Sequence, residues 1–327
     1  MSRYSPALKI GILLIILLVI PLALQDSYLL HLVNIIGIYV IAVIGLDLLT
    51  GVTGLISLGH AVFFAIGGYS AAILTTKYGL HPLASLPISC FIAVILALLL
   101  GLPLIRLKGF YLALGTLGVG IIVFTLLNGG GDITGGPNGI GGVPRFNLFF
   151  VEFDTYLKNF YLIWITVLFA IFFVRRFLHS RTGRALKAIH SDEETAKIYG
   201  ISVNVYKINA FVLSAIFASW AGVYYAHYTQ FISPELSSLT VSIDMIVMLF
   251  LGGVGSIYGP IIGVAIYKLL PEISSIIHEY ELLLRGGILL LVLLFFPGGV
   301  YTGMKRLFSR FSKVDLSRGQ PFRRRGM

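Results

Sequence analysis

Charge and sulfur are both scarce in this sequence. Only 12% of the 327 residues are charged while 57% are hydrophobic, a balance that excludes an ordinary soluble globular domain. A single cysteine, Cys90, excludes a disulfide framework and a cysteine-based metal site. It lies inside an apolar run and reads as a small packing residue. No Gly-Lys dipeptide occurs anywhere, so the chain has no P-loop for nucleotide phosphates. Nucleophile-elbow and zincin motifs are missing too. Nothing points to an enzyme, a cofactor or a metal.

What the chain has in abundance is apolar runs of membrane length. They cover 10–24, 29–49, 51–76, 83–105, 110–128, 160–174, 208–227, 239–253, 257–270 and 286–300. The first follows Arg3 and Lys9 and reads as an uncleaved helix. A signal peptide is the alternative, although no small-x-small cleavage site follows cleanly. The net charge of +10 does not form a nucleic-acid footprint. Its cations sit between the runs and in 305–327, where eight Lys/Arg face one Asp, as the positive-inside rule predicts.

Placing Arg3/Lys9, Arg106/Lys108, the 175–207 stretch and the tail in the cytoplasm requires even numbers of crossings between them. The runs supply four, two and four. The expected fold is therefore an all-α polytopic membrane protein of about ten transmembrane helices, eight to ten if short runs are re-entrant. Both termini are cytoplasmic. Residues 1–304 form one transmembrane domain, 129–158 an extracytoplasmic loop, and 305–327 a basic tail at the lipid surface.

The one long polar stretch, 175–207, carries seven Lys/Arg and three acidic residues. Ser191-Asp-Glu-Glu194 has the form of a capping box. Acidic residues fill the next turn, Lys197 follows, and Gly200 suits the C′ position. This predicts a two-turn helix over 192–199. So short a helix is marginal alone, and on a cytoplasmic face its support is expected from a partner subunit.

Gly255, Gly259 and Gly263 fall on one face if their segment is helical, the pattern of close helix packing in lipid. Pro260 is expected to interrupt regular helix there. A second Gly-interrupted stretch runs from Gly51 through Ser57 and His60 to Tyr69. Counted five plus five, spans three and eight correspond, and an odd-helix repeat must be inverted. Gly-rich interruptions at matching places would then mark a substrate path.

Intramembrane polar residues are few: Asp47, His60, Asn128 and Asp244. Such groups turn towards interiors or cavities. Asp47 also fits a position one turn from the interface, His60 a satisfied packing residue, and Asp244 has no evident partner. Gly136-Pro-Asn-Gly139 reads as a turn, and the Gly-rich segment around Asn138 as a flexible external loop or a receptor-docking surface.

Several blocks together resemble branched-chain amino-acid ABC permeases. They are Gly54-Leu-Ile-Ser-Leu-Gly-His-Ala-Val-Phe63 with Gly67-Gly-Tyr69, Lys108-Gly-Phe-Tyr-Leu-Ala113, Leu127-Asn128 with Thr134-Gly-Gly-Pro-Asn-Gly139, and Leu251-Gly-Gly-Val-Gly-Ser256. The Thr-Gly-Gly-Pro-Asn-Gly block is similar to the LivM-type branch of the LivH/LivM family. Glu194-Thr-Ala-Lys-Ile-Tyr-Gly200 resembles the Glu-Ala-Ala-x-x-x-Gly core of ABC importer permeases, with Thr195 in place of the first Ala. The resemblance spans roughly 30–300. It implies a LivH-type paralogous permease as heterodimer partner, two ABC ATPase subunits and an extracytoplasmic substrate-binding protein.

It also implies ATPase coupling through Arg184, Ser191, Glu193, Glu194, Ala196 and Gly200. The translocation-path candidates are Asp47, Ser57, His60, Asn128, Asn138 and Asp244. Relatives carrying urea or short amides share these motifs. An ion-coupled secondary transporter using Asp47 and Asp244 is the reading from another class.

Overall fold

The structure, a computed structural model, describes residues 26–107, 109–148 and 151–273, with a few further positions between 286 and 301. The runs 10–24 and, for the most part, 286–300, the basic tail and both termini lie outside the described residues. Among the described residues five helices are long and apolar enough to cross a membrane and three shorter ones are also apolar. The protein is a helical, polytopic membrane protein.

Two 27-residue helices make the centre. They are α1 (Ser27–Thr53) and α9 (Val203–Thr229), each about 40 Å long at 1.5 Å per residue. Nearly every side of α1 from Ile36 onward is buried, as expected of a helix apolar all round. Around this pair lie α2 (His60–Thr76), α3 (Pro82–Leu104), α4 (Phe110–Gly129), α6 (Tyr156–His179), α10 (Leu239–Gly252) and α11 (Gly259–Ile273). A one-turn helix, α5 (Gly131–Thr134), follows α4.

The bundle has a basic end and an opposite end. At the basic end lie the exit of α6 and two short helices, α7 (Arg181–Ser191) and α8 (Glu193–Ile198). At the opposite end the Ser85 hydroxyl near the start of α3 meets His227 Nε2 near the end of α9 at 3.1 Å. Strands β1 (Ile140–Gly141) and β4 (Phe231–Ile232) also pair there, antiparallel. A second small ladder joins β2 (Asn147–Leu148) to β3 (Val151–Glu152). The Gly-rich loop is thus not free-hanging. The Val143 amide donates to the Gln230 carbonyl at 3.2 Å, and Ile140, Val143 and Phe146 are buried.

The expected third span over 51–76 is corrected. Gly51–Thr53 finish α1, the chain turns at Gly54 with φ 75°, and helix resumes only at His60. A second break follows α9, at the opposite end of the bundle. That helix ends at Gln230 with φ 57°, strand β4 and a 3-10 turn over Pro234–Ser237 follow, and the shorter α10 begins at Leu239. The glycine face of 255–263 needs a matching correction. Helix starts at Gly259, so Gly255, with φ 74°, sits in the preceding turn while only Gly259 and Gly263 share a face. Pro260 occupies the first turn of α11, where its missing N–H leaves no helical bond unmade.

Close approach holds these layers together. A Cβ on Gly222 of α9 would overlap the Phe64 carbonyl of α2 and come 2.9 Å from the Gly68 nitrogen. Gly222→Val should therefore overpack the α2–α9 contact, at about 1–3 kcal/mol or more. It should lower the unfolding temperature in detergent by several degrees. Gly118→Ala, where an added Cβ meets nothing within 4 Å, should not. Equal melting of the two variants would contradict this packing.

Candidate functional site

The polar stretch folds as an elbow of two short helices. Ser180 caps α7, its hydroxyl accepting from the Gly183 amide at 3.2 Å. Gly183, Leu186 and Ile189 bury one face of α7 against the bundle. Arg184 turns back, its Nη1 donating to the His179 carbonyl at 2.7 Å, which satisfies an orphan group at the end of α6. His190 reaches the exit of α1: a Cβ on Gly54 would lie 2.9 Å from His190 Nδ1.

The cap of α8 is Asp192, not Ser191. Extended at φ −160°, Asp192 accepts from the Glu194 and Thr195 amides at 3.0 and 3.1 Å and from the Thr195 hydroxyl at 2.7 Å. The Thr195 hydroxyl and these amides hold its carboxyl below the usual carboxylate range. Ser191 instead ends α7, its hydroxyl donating to the Lys187 carbonyl at 3.1 Å. A carboxylate takes three donors where a hydroxyl would take one or two, so the cap moves one residue on. Glu194 pairs with Lys197 at 3.1 Å.

Glu193 ties the elbow to the bundle. Its carboxylate meets Lys207 Nζ, in the first turns of α9, at 2.7 Å and Lys197 at 3.4 Å. Burial raises its pKa, but the hydrogen bonds and charges of Lys207 and Lys197 outweigh that and leave it lowered. Ala196 is buried beneath the helix, while Ile198 and Tyr199 stand out with 84% and 82% of their surface exposed. Gly200 then leaves the helix at φ 78°.

The interrupted segments lie deeper. His60 Nε2 sits 3.1 Å from the Ala42 carbonyl, eleven residues back from the end of α1 and so about 16 Å into the bundle. Its Nδ1 is 3.5 Å from the Ser214 hydroxyl, and both ring nitrogens have partners, as for a packing residue. The Leu58 amide donates to Thr116 Oγ1 at 2.9 Å and the Ala61 amide to Ser242 Oγ at 3.3 Å. Ser57, immediately before Leu58, is buried.

Asp47 accepts from the Gly255 amide at 2.6 Å and so clasps the turn between α10 and α11 to α1. A Cβ on Gly51 would overlap this carboxylate. Asp244 accepts from the Tyr267 hydroxyl, the partner that sequence did not show. Asn128 and Asn138 stand apart at the opposite end. The first donates to the Phe124 carbonyl at 2.9 Å, and the second is exposed on a single turn of 3-10 helix.

Several contributing residues escaped the sequence reading. Lys207, Thr116 and Ser242 are isolated polar positions on apolar helices, and their partners lie fourteen to about one hundred and eighty residues away. Lys268 sits over the Tyr39 ring at 3.9 Å, a cation–π contact inside the run 257–270. Among the described residues no cluster of His, Cys, Asp and Glu could hold a metal.

Residues 28–293 match the family model described as branched-chain amino acid transport system / permease component. The high-affinity branched-chain amino acid transport system permease protein LivM of Escherichia coli is 36% identical over 80% of this chain and 67% of its own length. The probable branched-chain amino acid transport permease protein LivM of Methanocaldococcus jannaschii is 25% identical over 81% and 90%. The permease protein LivH of Salmonella typhimurium is 26% identical over 80% and 90%. No solved structure matches. These matches make the bundle the membrane permease component of a transport system. The chain belongs to the branched-chain amino acid transport permease family.

Gly200→Val forces a β-branched residue into positive φ, although no neighbour stands within 4 Å of the added Cβ. The strain is about 1–3 kcal/mol and confined to the elbow. Membrane abundance should stay near wild type while trypsin cleavage at Lys197 becomes several-fold faster. Unchanged cleavage would show that Gly200 is not needed for the turn. The Glu193 tie should behave likewise with pH. Because its folded pKa is lowered, its contribution is complete above the ordinary glutamate range and fades as pH falls through the lowered value. Protection of the Lys197 amide from hydrogen exchange should fall over that acid window in wild type and fall less in Glu193→Gln, where the Asp192 cap still titrates.

Proposed function

We propose that this chain is the LivM-type membrane subunit of an ATP-binding-cassette importer in the inner membrane of a prokaryotic cell. It passes leucine, isoleucine and valine delivered by an extracytoplasmic binding protein. A LivH-type paralogue completes the pathway and two separate ATPase subunits drive it. The chain carries no P-loop of its own, so ATP is bound by those separate subunits.

The observation that carries this reading is the elbow. Ile198 and Tyr199 are apolar side chains held out into solvent at the tip of a short, rigidly capped helix, and exposed apolar groups of this kind mark interaction sites. The elbow lies at the basic, cytoplasmic end, so its partner is the ATPase. Arg184, Glu193, Glu194, Ala196 and Gly200 shape that contact. Ser191 contributes through the end of α7.

Movement of the elbow has two routes inward. One is the Glu193–Lys207 pair into α9, and the other is His190 against Gly54 at the exit of α1. Both routes end on helices that lead directly into interrupted segments. The inverted correspondence of α1–α2 with α9–α10 supports two inverted repeats, and the matching interruptions support a path lined there. Asp47 and Asp244 are each engaged by a donor, which favours structural roles over ion coupling.

With ATPases, paralogue and binding protein reconstituted, leucine uptake should require ATP. Glu193→Lys and Lys207→Glu should each lower uptake at least tenfold at matched membrane abundance, and the double reversal should recover a third or more. Full uptake by both single variants would remove the coupling role. Leucine uptake by this chain alone, driven by an ion gradient, would overturn the assignment.

A further inference from the structure

From Thr155 to Ser191 the chain has no aspartate or glutamate but carries Lys158, Arg175, Arg176, Arg181, Arg184 and Lys187. Helix α6 buries Phe160, Ile163, Val167, Ile171, Val174 and Leu178 against the bundle. Its other side presents Ile165, Phe169, Phe172, Phe173 and Arg176 at helical spacing, and the three phenylalanines are 50%, 60% and 38% exposed. This stripe ends at the basic end of the bundle. Two adjoining hollows share Phe172 and Arg176 there. One, of about 280 Å³, is completed by Arg175 and His179. The other, of about 310 Å³, is completed by Phe169, Phe173, Phe177 and Ser180.

Neither Arg175 nor Arg176 makes an ion pair with a described residue. His179 Nδ1 lies 2.7 Å from the Arg175 carbonyl, which leaves Nε2 to face the first hollow. The polar hollow thus offers two guanidinium groups and an imidazole without a carboxylate, while the hollow beside it is walled by aromatic rings. The stripe contains no small residue, so it does not suit the close backbone approach of a helix–helix contact in lipid.

We propose that this face of α6 holds an anionic phospholipid. Its phosphate sits on Arg175, Arg176 and His179, where guanidinium groups bind phosphate oxygens in pairs. One acyl chain lies along Phe169, Phe172 and Phe173. The head-group level then fixes the depth of α6 just before the chain enters the elbow, and basic pockets at the cytoplasmic surface of membrane helices bind acidic head groups in this way.

The test uses the full-length chain in detergent, incubated with equal amounts of phosphatidylglycerol and phosphatidylcholine, with retained lipid read by native mass spectrometry. Wild type should retain phosphatidylglycerol at least fivefold over phosphatidylcholine. R175Q/R176Q should lose that preference, R175K/R176K should keep most of it, and Phe172→Ser should weaken retention of both lipids. Equal retention of the two lipids by wild type would overturn the site without reference to any variant. So would full phosphatidylglycerol preference in R175Q/R176Q. Efficient cross-linking of F172C, in a C90S background, to a second polypeptide in native membranes would show the face to be a subunit contact and would equally overturn it.

Discussion

The bilayer supplies no water to an exposed amide or carbonyl, so a helix that stops halfway must have its ends satisfied by protein. Almost everything distinctive in this chain answers that constraint. The break between α1 and α2 leaves Leu58 and Ala61 amides that find Thr116 and Ser242. The turn between α10 and α11 leaves the Gly255 amide, which finds Asp47. Each donor belongs to one part of the chain and its acceptor to another, so neither interruption stands without the rest of the bundle. Glycine supplies the remaining clearance, since side chains at Gly51, Gly222 or Gly263 would collide with a carboxylate or a backbone carbonyl.

The same arrangement determines what can move. An uninterrupted apolar helix is stiff, and its packing is distributed over many contacts. A broken one concentrates its support in a few hydrogen bonds, which can be exchanged with little loss of packing. The elbow bears on these places. Its buried face is anchored by Leu186, Ile189 and Ala196, while its outer tip is apolar and unsupported. One ion pair, Glu193 with Lys207, and one histidine, His190 beside Gly54, join the elbow to the start of α9 and the exit of α1.

Much of this was legible in the sequence. Apolar runs near 20 residues gave the long helices because length and hydropathy decide a membrane span. The charged stretch at 175–207 stood out for the same reason, and Gly200 was identifiable because few other residues tolerate positive φ. The break at Gly54–Gly59 was hidden, since this segment, half-buried and with Ile56 exposed, is as apolar as the helix it interrupts. Asp192 and Ser191 are both good caps, and only the local backbone distinguishes them. Pairings such as Asp47 with Gly255, or Glu193 with Lys207, join segments too distant for any spacing rule to relate. The glycine row at 255–263 misled because its four-residue period assumes a helix that begins only at Gly259.

In the proposed assembly the elbow is a cytoplasmic docking surface for the ATPase. The most direct measurement places a single cysteine at Tyr199 in a Cys90→Ser background and follows its reaction with a membrane-impermeant maleimide. Labelling should occur in inside-out vesicles, be absent in right-side-out ones, and be strongly protected when the ATPase subunits are bound. Labelling from the outer face, or equal labelling with and without the ATPase, would contradict it.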